Sequence, residues 1–205
     1  MQSIYFVDSN FTYESSKKSI LSIRYATDGF SFCVHDETGK LVVFVHEPYA
    51  ADSREAAVAR LKNYVVNDAI LNLRFKKVYI MPCFKEKLLV PGAFFDKANI
   101  TTLYTVNQEV SPDDTILYHH IEGIEAYLVE TVISSFHDFV REHFPVFQIV
   151  NGAYPFILGA MGKALRDTEQ IFLDIQDNYF DLLFIRDSGI QLFNTFSYKA
   201  TTDIV

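Results

Sequence analysis

The 205 residues are 49% hydrophobic and 21% charged, enough for one large domain or two small lobes around a real core. The formal net charge is −8, and basic residues come only in short pairs such as Lys17-Lys18 and Lys76-Lys77. This argues against nucleic acid as a partner, because a duplex-binding surface needs clustered cations. No stretch reaches the ~18 uncharged apolar residues of a membrane span, and the N-terminus lacks the basic start of a signal peptide, so the expected location is cytoplasmic.

The chain holds 19 Phe and 12 Tyr but no Trp, which suits aromatic-rich strands. Residues 21–49 read as three strands joined by tight hairpins, at about 19–26, 29–35 and 40–46. Glu37-Thr38-Gly39 marks the second turn, where glycine accepts a positive φ. Asp52 and Glu55 have capping-box spacing before Ala56, Ala59, Val65 and Val66 at helical intervals.

Residues 76–82 read as a short buried strand ended by Pro82, a natural parallel partner for the opening strand of the hairpins. Residues 84–95 form a strand-to-turn segment broken at Pro91-Gly92, and two more strands follow at 116–120 and 124–131. Ile133, Phe136, Phe139, Val140 and Phe144 make a helical stripe ended by Pro145. A buried strand at 146–150 then leads through Asn151-Gly152 into a helix carrying Ile157, Ala160, Met161, Ala164 and Leu165.

Shifting the chain by 150 positions lays residues 171–199 on residues 21–49 without a gap. Leu21 meets Ile171, Ile23 meets Leu173, Phe30 meets Phe180, Phe32 meets Leu182, Val34 meets Phe184, and Val42 meets Leu192. The turn Glu37-Thr38-Gly39 meets Asp187-Ser188-Gly189. The second copy is expected to hold strands at about 170–176, 179–186 and 190–197, with Thr201-Thr202-Asp203 where a helix should start.

The segments 21–36, 84–95 with Leu89-Val90-Pro91, and 173–198 resemble an uncharacterised bacterial family described as having an actin-like ATPase fold, with PilM-type pilus-assembly proteins as more distant relatives. The resemblance implies an α/β chain of the ribonuclease H-like, actin-like kind, with duplicated βββα units, mixed sheets and a second lobe incomplete in this chain. It places a first lobe at 1–166 with a strand-rich insertion at about 83–131, and the start of the second lobe at 167–205.

In actin-like ATPases two hairpins hold the phosphates. Each carries an acid at the end of its first strand and a nearby glycine that lets backbone N–H groups come close. The resemblance makes Thr27, Asp28 and Gly29 the nucleotide-binding candidates in the first copy, where Arg24 or Tyr25 stands at the acid's position. In the second copy Asp174, Asp177 and Asn178 are the candidates. Asp174 falls at the acidic position and is the catalytic candidate, but Gln176 replaces the glycine. ATP and magnesium are therefore not expected as cofactors.

Gly159-Ala160-Met161-Gly162-Lys163 imitates a phosphate loop, yet Ile157 stands where its first glycine belongs and Ala164 where its hydroxyl belongs, so helix packing explains it better. His119 and His120 are adjacent on a strand and point to opposite faces, and His137 and His143 lack i, i+4 spacing, so no metal site is expected. Cys33 and Cys83 read as small buried hydrophobes.

The expected function is a non-catalytic actin-like scaffold or interaction protein, with a protein partner or self-association. The alternatives are a divergent ATPase or sugar-kinase-like enzyme using Asp174, Asp177 and Asp28, and a small-molecule sensor binding between lobes.

Overall fold

The computed structural model describes residues 2–204. It opens with β1 (Ile4–Val7) and the short helix α1 (Tyr13–Ser16), followed by the meander β2 (Ile20–Ala26), β3 (Gly29–His35) and β4 (Leu41–Pro48). Helix α2 (Arg54–Asn67) returns the chain to β5 (Lys77–Pro82). Next come β6 (Lys87–Pro91), α3 (Ile100–Asn107), β7 (Asp114–His120), β8 (Ala126–Ile133), α4 (Ser134–His143), β9 (Phe147–Ile149) and α5 (Ala153–Lys163). A second meander, β10 (Glu169–Ile175), β11 (Tyr179–Arg186) and β12 (Gly189–Ser197), leads to a 3-10 turn at Thr201–Ile204.

Residues 1–84 and 132–151 form one compact unit; residues 85–131 and 152–205 form the other. The first holds a six-stranded mixed sheet in the order β1-β4-β3-β2-β5-β9. Strands β2, β3 and β4 alternate, so Leu21, Ile23, Tyr25, Phe30, Phe32 and Val34 share one fully buried face. Helix α2 presses Ala57, Val58, Leu61 and Val65 into this core, and its Tyr64 ring lies 4.4 Å from Phe30. Helix α4 adds Phe136, 5.0 Å from Tyr25. Because α2 carries the chain back over the sheet, β5 pairs parallel with β2, as the order of elements requires. The cap of α2 differs from the expected Asp52 box: Ser53 is the N-cap, and its hydroxyl accepts the Ala56 N–H at 3.2 Å.

The second unit contains two three-stranded sheets, β6-β8-β7 and β10-β11-β12. Ala153, Ile157 and Ala160 of α5 join Ile121, Leu128, Leu183 and Ile185 in one core. That packing is why α5 and the 85–131 segment belong with the second meander, whereas the sequence placed both in the first lobe. A second core forms around Val90, Tyr104 and Val129 under α3, a helix the strand-rich reading of this segment did not contain.

Both meanders are antiparallel, and the first hairpin keeps one register: Leu21 faces Val34 as Ile171 faces Phe184, and Tyr25 faces Phe30 as Ile175 faces Phe180. Each has an irregularity in its second hairpin, between Val34 and His35 and between Phe184 and Ile185. The second turns diverge. In the first copy Gly39 takes the positive φ, at 83°. In the second, Asp187 and Ser188 take it, at 51° and 63°, and Gly189 already belongs to β12. This is a two-residue turn with both central residues left-handed, so Gly189 is not the turn glycine that the tripeptide match implied. The shorter turn moves the third strands to a shift of 149, since Val43 faces Val34 while Leu192 faces Phe184.

Candidate functional site

Thr27 and Asp28 form the tip of the β2–β3 turn, between the paired residues Ala26 and Gly29. Their carbonyls are occupied by the chain that follows β4: the Tyr49 N–H donates to Asp28 at 3.1 Å and the Ala51 N–H to Thr27 at 2.8 Å. The Asp28 carboxylate accepts from the Arg24 guanidinium at 3.3 Å, so the residue at the expected acid's position instead neutralises the turn's acid. Burial, with Asp28 nearby, pushes the Tyr49 phenol up to about 12. Gly29 has φ +149°, and a Cβ there would lie 2.7 Å from the Glu47 carbonyl oxygen and 3.0 Å from Pro48 Cα. The missing side chain makes room for β4, not for a phosphate.

Asp177 and Asn178 are exposed at the β10–β11 turn, closed by the Gln176 N–H donating to the Tyr179 carbonyl at 2.9 Å. Tyr198 closes it further: its N–H donates to Asn178 at 3.0 Å, and its hydroxyl donates to the Gln176 carbonyl. Asp174 lies back from this turn on β10, half-buried and facing Asp181 across the ladder. The structure therefore groups Asp174 with Asp181 and leaves Asp177 and Asn178 at the turn tip.

Asp181 belongs to a buried polar cluster that the sequence reading missed. Lys87 Nζ lies 2.9 Å from Asp181 Oδ1, and the Thr195 hydroxyl donates to the same oxygen at 2.6 Å. The Lys87 ammonium also sits 4.7 Å from the centre of the Tyr179 ring. Burial pushes the Asp181 carboxyl above the usual carboxylate range, while Lys87 and Thr195 oppose that shift. Across β6 and β8, Lys87 is the cross-strand partner of buried Glu130, whose Oε1 is 3.9 Å from His119 Nε2. Burial lowers the His119 imidazole. One signal was available: Asp181 alternates with Tyr179, Leu183 and Ile185 on an inward face, where an acid needs a partner.

The phosphate-loop imitation lies within α5, as expected. Both cysteines are free thiols, Cys83 buried and Cys33 half-buried. Among the described residues no three His, Cys, Asp or Glu side chains gather closely enough to hold a metal. No helix among them is long and apolar enough to cross a membrane.

The sequence profile of a family described as "Protein of unknown function (DUF3822)" matches residues 8–205. The chain belongs to this family. No curated protein matches it. Among solved structures, this DUF3822 chain is similar to a Bacteroides thetaiotaomicron protein with actin-like ATPase fold and unknown function, at 22% identity and TM-score 0.86, covering 95% of this chain and 76% of that one. It is also similar to a structure of the PilM-PilN type IV pilus biogenesis complex, at 13% identity and TM-score 0.52, covering 87% of this chain and 61% of that one. These likenesses establish an actin-like α/β fold for the DUF3822 chain.

Proposed function

We propose that this protein is a cytoplasmic, non-catalytic actin-like scaffold that engages a protein partner without a nucleotide cofactor. The observation that carries this reading is the closed first turn. Gly29, the residue that should admit a phosphate, is backed by the Glu47 carbonyl, and Arg24 occupies the acid's position and pairs with Asp28. A fold can persist after its chemistry is lost. The test is calorimetric titration of the purified chain with ATP and magnesium, alongside a thermal-shift series. The expected result is no binding heat and no rise in melting temperature, because a ligand that binds only the native state must stabilise it. Tight magnesium-dependent binding that Asp174→Asn abolishes would overturn the proposal in favour of an ATPase.

A further inference from the structure

The chain's two lysine pairs, Lys17-Lys18 and Lys76-Lys77, are distant in sequence but neighbours in the first unit. Strands β2 and β5 run parallel from a common end, with Ile20 opposite Lys77. Two bonds fasten the segments that lead into them. The Lys76 N–H donates to the Ser19 carbonyl at 3.0 Å, and the Ser16 hydroxyl donates to the Arg74 carbonyl at 2.9 Å. The fold thus gathers Lys17, Lys18, Arg74, Lys76 and Lys77 at one end of the sheet. Glu14 pairs with Lys17 at 2.7 Å and Glu37 with Lys18 at 3.7 Å. Lys77 donates to the neutral amide oxygen of Gln148 at 3.0 Å, which leaves its charge uncancelled. The hydrogen bond to Glu14 raises the Lys17 ammonium, and Arg74 lies near enough to oppose that rise. Arg74 and Lys76 are exposed. Five cations against two acids make a positive patch on a chain whose net charge is −8.

Beside the patch, where β5 and β9 begin, lies a cavity of about 480 Å³. Leu73, Phe75, Val78 and Val146 give it apolar walls, and Arg74 also lines it, so Arg74 belongs to both cavity and patch. We propose that patch and cavity together are the docking site for a short acidic segment of a partner protein, which inserts one bulky apolar side chain into the cavity and turns its carboxylates to the cations. The proposal rests on the scaffold reading and names the chemistry of its partner. Charge and shape both favour a peptide. Exposed charges are felt over about 8–10 Å in physiological salt, so a short segment lying on the patch senses these cations alone. A bilayer or a duplex would extend past them and meet the acidic remainder of the surface. The cavity falls within the roughly 300–1,000 Å³ of pockets that enclose compact apolar groups, which a run of phosphates would leave empty. The cations attract and orient the segment, and the buried side chain holds it.

The test pans the full chain against a displayed library of random peptides. Enriched peptides should be rich in aspartate and glutamate and carry leucine or an aromatic residue among them. Their binding should weaken at least tenfold from about 0.05 to about 0.5 M salt, because the charges involved are exposed. Arg74→Glu combined with Lys76→Glu should weaken it about tenfold or more and flatten the salt dependence. Val146→Asn should weaken it about threefold or more and leave the salt dependence unchanged, since that loss is apolar. Arg166→Glu, the same charge change in the second unit, should leave binding as it is. All four positions are exposed, so melting temperatures should stay close to that of the wild type. The proposal is overturned by no enrichment, by selected peptides without acidic residues, by binding that survives either the double variant or Val146→Asn, or by an equal loss in Arg166→Glu. It is also overturned if phosphatidylserine vesicles bind the patch and peptides do not, or if light scattering shows a dimer that the double variant dissolves. Nucleotide titration reads a different site, so peptide binding together with ATP binding would sink the cofactor-free function and leave this inference standing.

Discussion

Lys87 Nζ and Asp181 Oδ1 stand 2.9 Å apart with both side chains almost wholly buried, joining strand β6 of one small sheet to strand β11 of the other. Thr195 supplies a second donor to the same oxygen. A buried pair holds because each partner satisfies the other, so removing one partner costs more than removing both. Lys87→Met should destabilise the second unit by about 3–5 kcal/mol in urea unfolding. Lys87→Met with Asp181→Leu should recover most of that loss. Strictly additive single-mutant effects would show that the pair contributes no specific coupling. The loss in Lys87→Met should also be smaller in acid. Without its cation, Asp181 is relieved by taking up a proton, and a carboxyl with a raised folded-state pKa loses stability as pH rises through that value.

His119 carries the opposite sign. Burial lowers its folded-state pKa below the ordinary 6.5. The unfolded chain therefore binds the proton more readily, and the stability present above that ordinary value is lost as pH falls through the folded one. The Glu130 oxygen at 3.9 Å is too far to hydrogen-bond the imidazole. Wild type should lose stability relative to His119→Gln between about pH 7 and pH 5, read as the difference in their denaturation midpoints. The reverse trend would mean that Glu130's charge outweighs burial and holds the imidazolium.

What could be read from the chain alone was what repeats at short range. Leu21, Ile23 and Tyr25 alternate with more polar neighbours, so the first meander and its inward face were legible, whereas Ile171, Leu173 and Ile175 alternate in the same way and are exposed. The stripe of α4 and the helix following Gly152 were equally local. Helix α3 was hidden because Thr101, Thr102, Thr105 and Val106 are β-branched residues that favour strands, and burial of Tyr104 outweighs them. Strand β1 is four residues long and is held by pairing with β4, a contact no local pattern reveals. The site was harder still. A lysine or aspartate in a strand reads as solvated until its partner is known, and Lys87 meets Asp181 only after the two sheets form. The role of Gly29 likewise depends on Glu47, a residue on another strand.

Gly29, beside the β2–β3 turn, and Gly159, inside α5, each test a segment whose sequence invites a phosphate. At Gly29 the φ of +149° is one that side-chain-bearing residues rarely adopt, and an added Cβ would press on the Glu47 carbonyl from 2.7 Å. Gly29→Ala should therefore cost about 1–3 kcal/mol without changing any response to ATP. Gly159 lies inside α5, and a Cβ added there would meet nothing within 4 Å. Gly159→Ala should stabilise the chain by about 0.5–1 kcal/mol, because alanine loses less backbone freedom in a helix. Paired urea melts of the two variants decide the matter. A neutral Gly29→Ala would mean that β4 leaves the turn open and that room for a ligand exists there. A destabilising Gly159→Ala would mean that the Gly159-to-Lys163 segment needs glycine for something other than helix packing, and the phosphate-loop reading would return.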